Sequence, residues 1–585
     1  MGREVVISGM LAATGVAIGP AFVLTRSGIQ LPSTKAETPE YEESRVREAL
    51  TQTITQLEKV VQAVTVTNGP AMGHIFRSQQ TIAEDEAIRG EIFALIHRTA
   101  CSAEEAVHHV MTGYLKLFQD LQDDAYNRSR GADLLDLYRR IMRNLHGYEE
   151  PSLQTMPPGS VLVAEELLPS EVAQLDPKAV AGIVLQQGTS TSHVAIIARK
   201  QRIPMIVQVS SVVETLRAGT TVIIDALPGT TAQVHINPPD STQNYYREQK
   251  RILVQRQESF HAYRGAEPVT QDGHPVVLSV NVGSTEDLSP ALAEGARRIG
   301  LYRSEFVYLA SRDLPSEDVQ YEIYTRAVTQ FASGGTVIRT LDVGGDKPLP
   351  GLSLPQEDNP FLGFRGLRVS LEYPDMFRTQ LRAILRAAHV GRVQIMFPMV
   401  TGVADLDRAL EALEEAKGEL QRAAVPHAQH LETGVMIEIP SAAFVAEALA
   451  KRVSFLSIGT NDLTQYLTAT DRLNPMVQQY HKSYDPAVFR TIAMVVEAGH
   501  RVGCPVGVCG ELGGNPLSIP ALLGMGVDEL SMSSYALPEA TGVVREGVFT
   551  EMQKLAADVL AAEGDAEVLA HLEAFHKKSY SSPRL

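Results

Sequence analysis

Eight short apolar runs in the second half of the chain, separated by longer segments with helical periodicity, limit what this sequence can fold into. Apolar runs of about four to eight residues are typical of buried strands, and the longer periodic segments are typical of helices. Eight strands that alternate with helices predict a closed (β/α)₈ TIM-like barrel. The runs are 276–282, 299–302, 336–343, 393–399, 434–439, 455–458, 505–508 and 529–532.

Polar and charged residues lie at the ends of most of these runs. Arg303 follows the second run, Arg339 lies in the third, and Glu438, Asp462 and Cys509 lie at or just beyond later runs. Catalytic groups of such barrels sit at the C-terminal ends of the strands. The sequence therefore predicts an active site at that end of the barrel.

The predicted barrel mouth collects four arginines: Arg303, Arg339, Arg365 and Arg472. Guanidinium groups repel one another, and they gather where they bind phosphate or carboxylate oxygens in pairs. The cluster predicts a small substrate with several negative charges. The alternative is that each arginine is a surface or salt-bridge residue, as most single arginines are.

Glu438 and Asp462 have the hard oxygen ligands that Mg²⁺ prefers, and Mg²⁺ often takes one or two carboxylates plus substrate oxygens. The alternative for each is an ion pair with one of the arginines. Cys509 precedes Gly510, which would leave its thiol accessible, although a free cysteine is more often a buried apolar residue.

The first half of the chain combines two patterns. Short β segments occur in 1–33 and again in 147–236, which predicts one α/β domain built from both stretches. Residues 34–146 contain long amphipathic helical patterns and predict a helical domain inserted into it. The polar segment 237–265 predicts a linker helix, and 266–585 form the barrel.

His193 follows a turn rich in Gly, Ser and Thr (188–192) and precedes an apolar, helix-permissive stretch. This order places the imidazole near a helix N-terminus, where backbone N–H groups and the helix dipole favour an anion such as a phosphoryl group. The alternative is a structural histidine.

Bulk properties exclude several classes of protein. The formal charge of −17 disfavours a nucleic-acid partner, because phosphate neutralisation needs a basic surface. Three cysteines are too few for a disulfide framework and indicate a reducing cytoplasm. No stretch reaches the ~18 apolar residues of a membrane span.

Several motifs together resemble enzyme I of the bacterial phosphoenolpyruvate (PEP)-dependent sugar phosphotransferase system, within the wider PEP-utilising enzyme group. The resemblance extends over nearly the whole chain. The motifs are TSH at 191–193, GLYRSEF at 300–306, RTLDVGGDK at 339–347, NPFLGFR at 359–365, IMFPM at 395–399, GVMIEIPS at 434–441, SIGTNDLTQY at 457–466 and CGE at 509–511.

The resemblance implies a role for each candidate residue. His193 would accept the phosphoryl group, Glu438 and Asp462 would bind Mg²⁺, and Cys509 would protonate the enolate. The residues implied to bind PEP are Arg303, Arg339, Arg365, Asn461 and Arg472. The resemblance also implies a swivelling phosphohistidine domain, docking of an HPr-type histidine phosphocarrier on the helical domain, and a homodimer formed through the barrel.

The sequence departs from the family pattern near His193. Thr189 replaces a Gly of the usual turn, and Val172 replaces a Thr whose hydroxyl binds the active imidazole. Residues 76–79 read FRSQ where the helical domain usually has an acidic residue and a histidine. The barrel motifs are intact, which favours the hypothesis of a paralogue with a dedicated carrier partner.

Two other functions stay open at this point. A PEP synthase or pyruvate phosphate dikinase shares the histidine and barrel motifs, but it needs an ATP-grasp domain for which about 150 residues leave no room, and no nucleotide-binding loop occurs in the sequence. A non-catalytic regulatory paralogue would bind PEP or the carrier without turnover.

Overall fold

The chain forms two compact units, Met1–Val254 and Gln255–Leu585. The computed structural model describes residues 4–24, 36–68, 79–120, 125–146, 153, 156–167, 171, 175, 179–188, 193–201, 203–227, 232–309, 313–344, 352, 354–355, 357–472, 474 and 476–580.

The first unit contains an eight-stranded sheet with the order β1-β8-β7-β3-β4-β5-β6-β2 in its described part. Strand β3 pairs antiparallel with β7 and parallel with β4, so both sequence stretches contribute to one sheet, as predicted. Apolar clusters lie on both faces of the sheet. The strands are β1 (Val5–Ser8), β2 (Met10–Ala13), β3 (Gly15–Leu24), β4 (Ser160–Ala164), β5 (Val180–Leu185), β6 (Met205–Val207), β7 (Thr221–Ala226) and β8 (Gln233–Ile236).

Helices fill the part of the chain between the neighbouring strands β3 and β4. Their apolar faces form a separate core that includes Leu57, Ile92 and Met111. This arrangement confirms the predicted class of an α/β sheet with helices inserted in the chain. The helices are α1 (Pro39–Asn68), α2 (Glu86–Thr99), α3 (Ala103–Asp120) and α4 (Ala125–His146).

Among the described residues that follow strand β4, three further helices are α5 (His193–Lys200), α6 (Val212–Thr215) and α7 (Asp240–His261). Helix α7 covers most of the predicted linker. Its residues are mostly exposed, but Tyr246 and Phe260 are buried. The Tyr246 hydroxyl donates to Asp225 Oδ2 at 2.6 Å, which attaches the helix to strand β7.

The second unit contains a closed barrel whose strand order is β10-β11-β12-β13-β14-β15-β16-β9. Every neighbouring pair is parallel, and this confirms the predicted (β/α)₈ barrel. The strands are β9 (Val277–Val282), β10 (Ile299–Arg303), β11 (Thr336–Arg339), β12 (Val393–Phe397), β13 (Glu432–Ile437), β14 (Phe455–Ile458), β15 (Val506–Val508) and β16 (Glu529–Ser533).

The helices of this unit pack against the outer side of the barrel through one large apolar cluster. They are α8 (Leu288–Ala293), α9 (Glu305–Leu309), α10 (Glu317–Gln330), α11 (Leu367–Glu372), α12 (Pro374–Ala387), α13 (Val403–Arg422), α14 (Pro440–Phe444), α15 (Ala446–Ala450), α16 (Thr460–Leu467), α17 (Pro486–His500), α18 (Ile519–Gly524), α19 (Leu537–Glu546), α20 (Phe549–Ala561) and α21 (Asp565–Tyr580).

Several strand boundaries differ from the predicted runs, and two of these differences have an identifiable cause. Strand β11 ends at Arg339 rather than at residue 343, because the chain then leaves the sheet and Gly344 forms an isolated bridge with Arg365. Strand β13 begins at Glu432, two residues before the predicted run, because Glu432 pairs in register with Gln394. A search for apolar runs does not detect polar residues at a strand end.

Among the residues that the structure describes, no helix is long and apolar enough to cross a bilayer.

Candidate functional site

Strand β11 places the Arg339 guanidinium inside the barrel at the C-terminal ends of the strands. Arg339 Nη2 donates to Glu305 Oε1 at 2.7 Å, and Nη1 lies 3.0 Å from Asp342 Oδ2. Nη1 also lies 3.7 Å from the Met436 sulfur. Arg339 is therefore buried and ion-paired, with carboxylates on two sides.

Arg365 is almost fully buried and joins two carboxylates. Its Nε and Nη2 atoms each donate to one oxygen of Asp342 at 3.1 Å. Nη1 donates to Asp462 Oδ1 at 2.9 Å, and Nη2 lies 3.3 Å from Asp462 Oδ2. Such a double fork fixes the planes of both carboxylates relative to the guanidinium.

Asp462 lies in the first turn of helix α16 and also faces Arg472, with 3.6 Å between Arg472 Nη2 and Asp462 Oδ1. Burial opposes ionisation of this carboxyl, but Arg365 and Arg472 outweigh it and lower its pKa. No basic residue is adjacent to Asp462 in the sequence, and Arg365 reaches it from a distant part of the chain. The alternative considered for Asp462, an ion pair with an arginine, is what the structure contains.

Glu438 has a different environment. Its Oε1 atom accepts a hydrogen bond from the Met399 backbone N–H at 2.7 Å. Its Oε2 atom is buried, and no described residue donates a hydrogen bond to it. Burial, together with the charges of Asp462 and Asp342, raises the pKa of Glu438. A buried oxygen without a donor costs free energy, and a bound cation would remove this cost.

Arg303 and Asn461 lie at the rim of the same site. Both are partly exposed, and Arg303 has no ion pair or hydrogen bond with a carboxylate in the described part of the chain. The Asn461 side-chain oxygen accepts a hydrogen bond from the Glu511 backbone N–H at 3.0 Å. This bond ties the start of helix α16 to the segment that follows strand β15.

Cys509 follows strand β15 and points into the barrel interior. It packs among Leu301, Val337, Met396 and Met436 and is only 3% exposed. The expectation that Gly510 leaves the thiol accessible is wrong, because the thiol faces the apolar interior rather than the rim. Burial raises the pKa of the Cys509 thiol to about 11, so the thiol is protonated at neutral pH.

Two glycines allow close backbone contacts beside these side chains. Gly344 has a φ of +102°, and a Cβ atom there would lie 2.1 Å from the Phe364 carbonyl oxygen. A Cβ atom on Gly510 would lie 2.0 Å from Thr460 Oγ1. The first contact positions Arg365, and the second positions Cys509 against helix α16.

His193 is the first residue of helix α5, which agrees with the predicted helix N-terminus. Its side chain lies outside the described part of the structure, as do Val172, Thr189 and residues 76–78. The roles predicted for His193 and for the departures from the family pattern therefore stay predictions.

Glu305 and Asp342 complete the site, and they were not among the candidate residues. Both occur in motifs found in the sequence, GLYRSEF and RTLDVGGDK, directly beside an arginine that was selected. These short motifs are rich in charged residues, and this was the sequence signal from which Glu305 and Asp342 could have been selected. Their pairing with Arg339 and Arg365 depends on contacts between strands, which the sequence does not specify.

Three family models match the chain. They describe the PEP-binding domain of PEP-utilising enzymes at residues 257–548, the N-terminal domain at 8–130 and the mobile domain at 156–229. The chain is 36% identical to the phosphoenolpyruvate-protein phosphotransferase of Priestia megaterium over 571 residues, which cover 97% of this chain and 99% of that protein. It is 38% identical to that of Geobacillus stearothermophilus over 580 residues, which cover 99% of each.

An NMR solution structure of Enzyme I is 30% identical and covers 42% of this chain and 99% of that chain, with a TM-score of 0.38. The family models and full-length relatives, together with the charged site at the C-terminal end of a (β/α)₈ barrel, assign the chain. It belongs to the PEP-utilising enzymes, in the same family as the phosphoenolpyruvate-protein phosphotransferases.

Proposed function

We propose that this chain is a phosphoenolpyruvate-protein phosphotransferase, which moves the phosphoryl group of PEP to His193 and then to an HPr-type histidine phosphocarrier. The observation that carries the proposal is the group of four arginines and four carboxylates at the C-terminal end of the barrel. Transfer of a phosphoryl group depends mainly on positioning and charge neutralisation, which such a group of residues supplies.

The arginines have separate tasks in this proposal. Arg303 and Arg472 are partly exposed, so their guanidinium groups bind the phosphate and carboxylate oxygens of PEP together with Asn461. Arg339 and Arg365 lie deeper and are held by carboxylates. They add positive charge beneath the substrate and direct any remaining donor, such as Arg339 Nε, towards it.

Glu438 and Asp462 are the proposed ligands of Mg²⁺. Among the described residues, no group of three or more His, Cys, Asp and Glu side chains is arranged for a metal ion. Two carboxylates completed by substrate oxygens are nevertheless typical of Mg²⁺, and Glu438 Oε2 lacks a hydrogen-bond donor from the described residues. The bound ion would neutralise charge on the substrate oxygens during transfer.

Cys509 is the proposed proton donor. When the O–P bond of PEP breaks and the N–P bond to His193 forms, the enolate of pyruvate remains in the barrel. The neutral Cys509 thiol gives its proton to C3 of the enolate, which yields pyruvate and a thiolate. The raised pKa of Cys509 keeps the proton on sulfur until the strongly basic enolate appears.

Each range of the chain has a separate role in the proposed transfer. We assign the phosphohistidine domain to 1–33 and 147–236, carrier docking to 34–146, the linker to 237–265 and PEP binding to 266–585. Because His193 and Arg339 belong to different units, transfer needs a swivelling motion. The proposed setting is the start of sugar uptake in the cytoplasm, with a homodimer formed through the barrel.

The test is to incubate the protein with Mg²⁺ and PEP labelled on phosphorus. We expect a protein-bound label that acid removes and base does not, together with an equal amount of pyruvate. The His193→Ala variant should bind no label. An unlabelled wild type would support the non-catalytic alternative, whereas a label that requires ATP instead of PEP would support a PEP synthase-like enzyme.

A further inference from the structure

The barrel contains a cavity at the end opposite to the proposed active site. Its volume is about 420 Å³, and it is lined by the first residues of four strands, Val277, Phe455, Val506 and Glu529. The candidate arginines and carboxylates lie at the other ends of the strands. The cavity is therefore a separate opening into the barrel interior.

The wall of this cavity is polar enough to hold water. It includes Arg298, Gln394, Glu529 and Ser531. Arg298 Nε donates to Glu529 Oε1 at 3.0 Å, which keeps these two charges paired. A polar space of this size has room for about ten water molecules or more.

Polar atoms also converge at Gly300, deeper in the same wall. A Cβ atom on Gly300 would lie 2.1 Å from Ser279 Oγ, 2.6 Å from Ser531 Oγ and 2.7 Å from Glu529 Oε1. The Ser279 hydroxyl is buried and has no hydrogen-bond partner among the described residues. A buried hydroxyl in such a position is usually satisfied by water.

Ser457 connects the cavity to the proposed active site. It lines the cavity, and it pairs in register with Gly507, two residues before Cys509, so the Ser457 and Cys509 side chains lie on the same face of the neighbouring strands. The Ser457 hydroxyl also favours the thiolate form of Cys509, whose thiol lies 3.6 Å from the Ile458 carbonyl oxygen. The backbone fixes this contact, because the Cys509 N–H donates to the carbonyl oxygen of Ile458 on the neighbouring strand at 3.0 Å. One hydroxyl thus faces both the cavity and the reacting sulfur.

The remaining surroundings of Cys509 offer poor routes for a proton. Leu301, Val337, Met396 and Met436 surround it with apolar atoms. The charged groups that influence the thiol are Glu438, Arg339 and Arg303, all on the active-site side. That side holds PEP or pyruvate during turnover, whereas the cavity side stays free of substrate.

We propose that Ser457 and cavity water return a proton to Cys509 after each turnover. The Ser457 hydroxyl gives its proton to the thiolate, and its oxygen takes a proton from a cavity water, which leaves hydroxide that bulk solvent neutralises. Ser457 is thus a positioning residue for proton return. The proposal rests on the proposed function, in which Cys509 protonates the enolate.

The test measures two exchange reactions of the full-length protein with Mg²⁺, PEP and pyruvate in D₂O. Carbon-labelled pyruvate enters PEP in each forward and reverse cycle, and deuterium enters C3 of pyruvate only when the thiol exchanges its hydrogen with solvent. In wild type we expect the rate of deuterium incorporation at C3 of pyruvate to match the rate of carbon-label exchange. In Ser457→Ala the amount of deuterium incorporated per carbon exchange should fall about tenfold. This decrease is smaller than the rate enhancement that a positioned proton-transfer group usually contributes.

Matched variants distinguish a defect in proton return from a general loss of structure or activity. Ser454→Ala removes an exposed hydroxyl at the cavity rim and should keep the wild-type ratio, while Ser457→Thr retains a hydroxyl and should restore it. A wild-type ratio in Ser457→Ala would overturn the proposal and leave the proposed function intact. No carbon exchange in wild type would overturn the proposed function itself, and an unchanged ratio in Cys509→Ala would overturn its proton donor.

Discussion

Single residues at the barrel mouth balance one another in charge. Arg339, Arg365 and Arg472 form ion pairs with Glu305, Asp342 and Asp462. With Arg303 and Glu438 included, four positive charges equal four negative charges when all carboxyls are ionised. PEP adds about three negative charges to this neutral set, and buried charge needs a counter-charge. A divalent cation beside Glu438 would supply part of it, which explains why PEP and Mg²⁺ are expected to bind together.

The Arg339–Glu305 pair gives the first prediction at this scale. Glu305→Gln keeps the shape of the side chain but removes the charge that neutralises Arg339. Because both residues are buried, we expect the free energy of unfolding to fall by about 1–3 kcal/mol. Urea unfolding followed by circular dichroism measures it, since the chain has no tryptophan. Glu322→Gln, on the exposed face of helix α10, is the control, and an equal loss in both variants would contradict the prediction.

The candidate residues were predictable from the sequence, but their partners were not. Charged residues within or directly after apolar runs identified Arg303, Arg339 and Glu438. The contact between Arg365 and Asp462 joins residues 97 positions apart, and no local pattern encodes it. The orientation of the Cys509 thiol was also not predictable, because the residue beyond a short strand can face either the rim or the barrel interior.

At the scale of elements, helix α7 is attached to the first unit through a buried hydrogen-bond network. The Tyr246 hydroxyl donates to Asp225 and lies 3.1 Å from His235 Nε2, while His235 Nδ1 lies 3.0 Å from Glu4 Oε1. Strands β7 and β8 thereby contact one helix side chain, and Glu4, directly before strand β1, joins the network through His235. The network sets where the helix begins relative to strands β7 and β8.

Tyr246→Phe tests this attachment. The change leaves the buried acceptor of Asp225 without its donor, so we expect the first unit to lose about 1–2 kcal/mol of stability. Hydrogen exchange of the first turns of helix α7 should also become faster. Tyr245→Phe is the matched control, because Tyr245 is the adjacent residue and is 57% exposed. Similar protection in the two variants would show that the hydroxyl does not hold the helix.

The start of helix α20 gives a second prediction for an element. Asp272 accepts hydrogen bonds from the backbone N–H groups of Phe549 and Thr550 at 2.8 and 3.1 Å, and the Phe549 bond contributes most to lowering its pKa to about 2. Asp272→Asn should cost about 1 kcal/mol of stability at neutral pH, because the amide retains only one of the two oxygens that accept these hydrogen bonds.

The pH dependence of this cost follows from the sign of the shift. Because the folded-state pKa lies below the unfolded value of about 3.9, the contribution is complete above that value and is lost as the pH falls through about 2. The stability difference between wild type and Asp272→Asn should stay constant from about pH 7 to 5 and shrink below about pH 4. Urea titrations at several pH values measure it. Asp558→Asn, an exposed carboxyl on the same helix, should show no such change.

Elements were easier to predict than contacts because their signal is local. All eight barrel strands were predicted, since each is an apolar run bounded by polar segments. The predicted boundaries of β11 and β13 differ from the observed ones. Strand β11 ends early because the chain leaves the sheet before the bridge at Gly344, and strand β13 begins early because the polar Glu432 also pairs in the sheet. One α/β domain built from both stretches was inferred from the return of β segments after residue 147, but the pairing of β3 with β4 was not predicted.

At the scale of the whole molecule, the two units have separate apolar cores. Buried clusters in Met1–Val254 include Leu57, and the main cluster of Gln255–Leu585 includes Phe397. Helix α7 spans the division and contributes Tyr246 to the first unit and Phe260 to the second. A cut at residue 254 would therefore divide a helix, so fragments that test the units need to overlap over 240–261.

We expect fragments 1–261 and 240–585 to fold separately. Each fragment keeps its own apolar core and the whole of helix α7, which is anchored by Tyr246 in the first fragment and by Phe260 in the second. Calorimetry should give one cooperative transition for each fragment, and both should match transitions of the full chain to within a few degrees. The second fragment should bind PEP with Mg²⁺ but accept no phosphorus label, since His193 is absent from it. Cooperative unfolding that is lost in both fragments would show that the units depend on each other for stability, and a label on the second fragment would place the phosphoryl acceptor within the barrel.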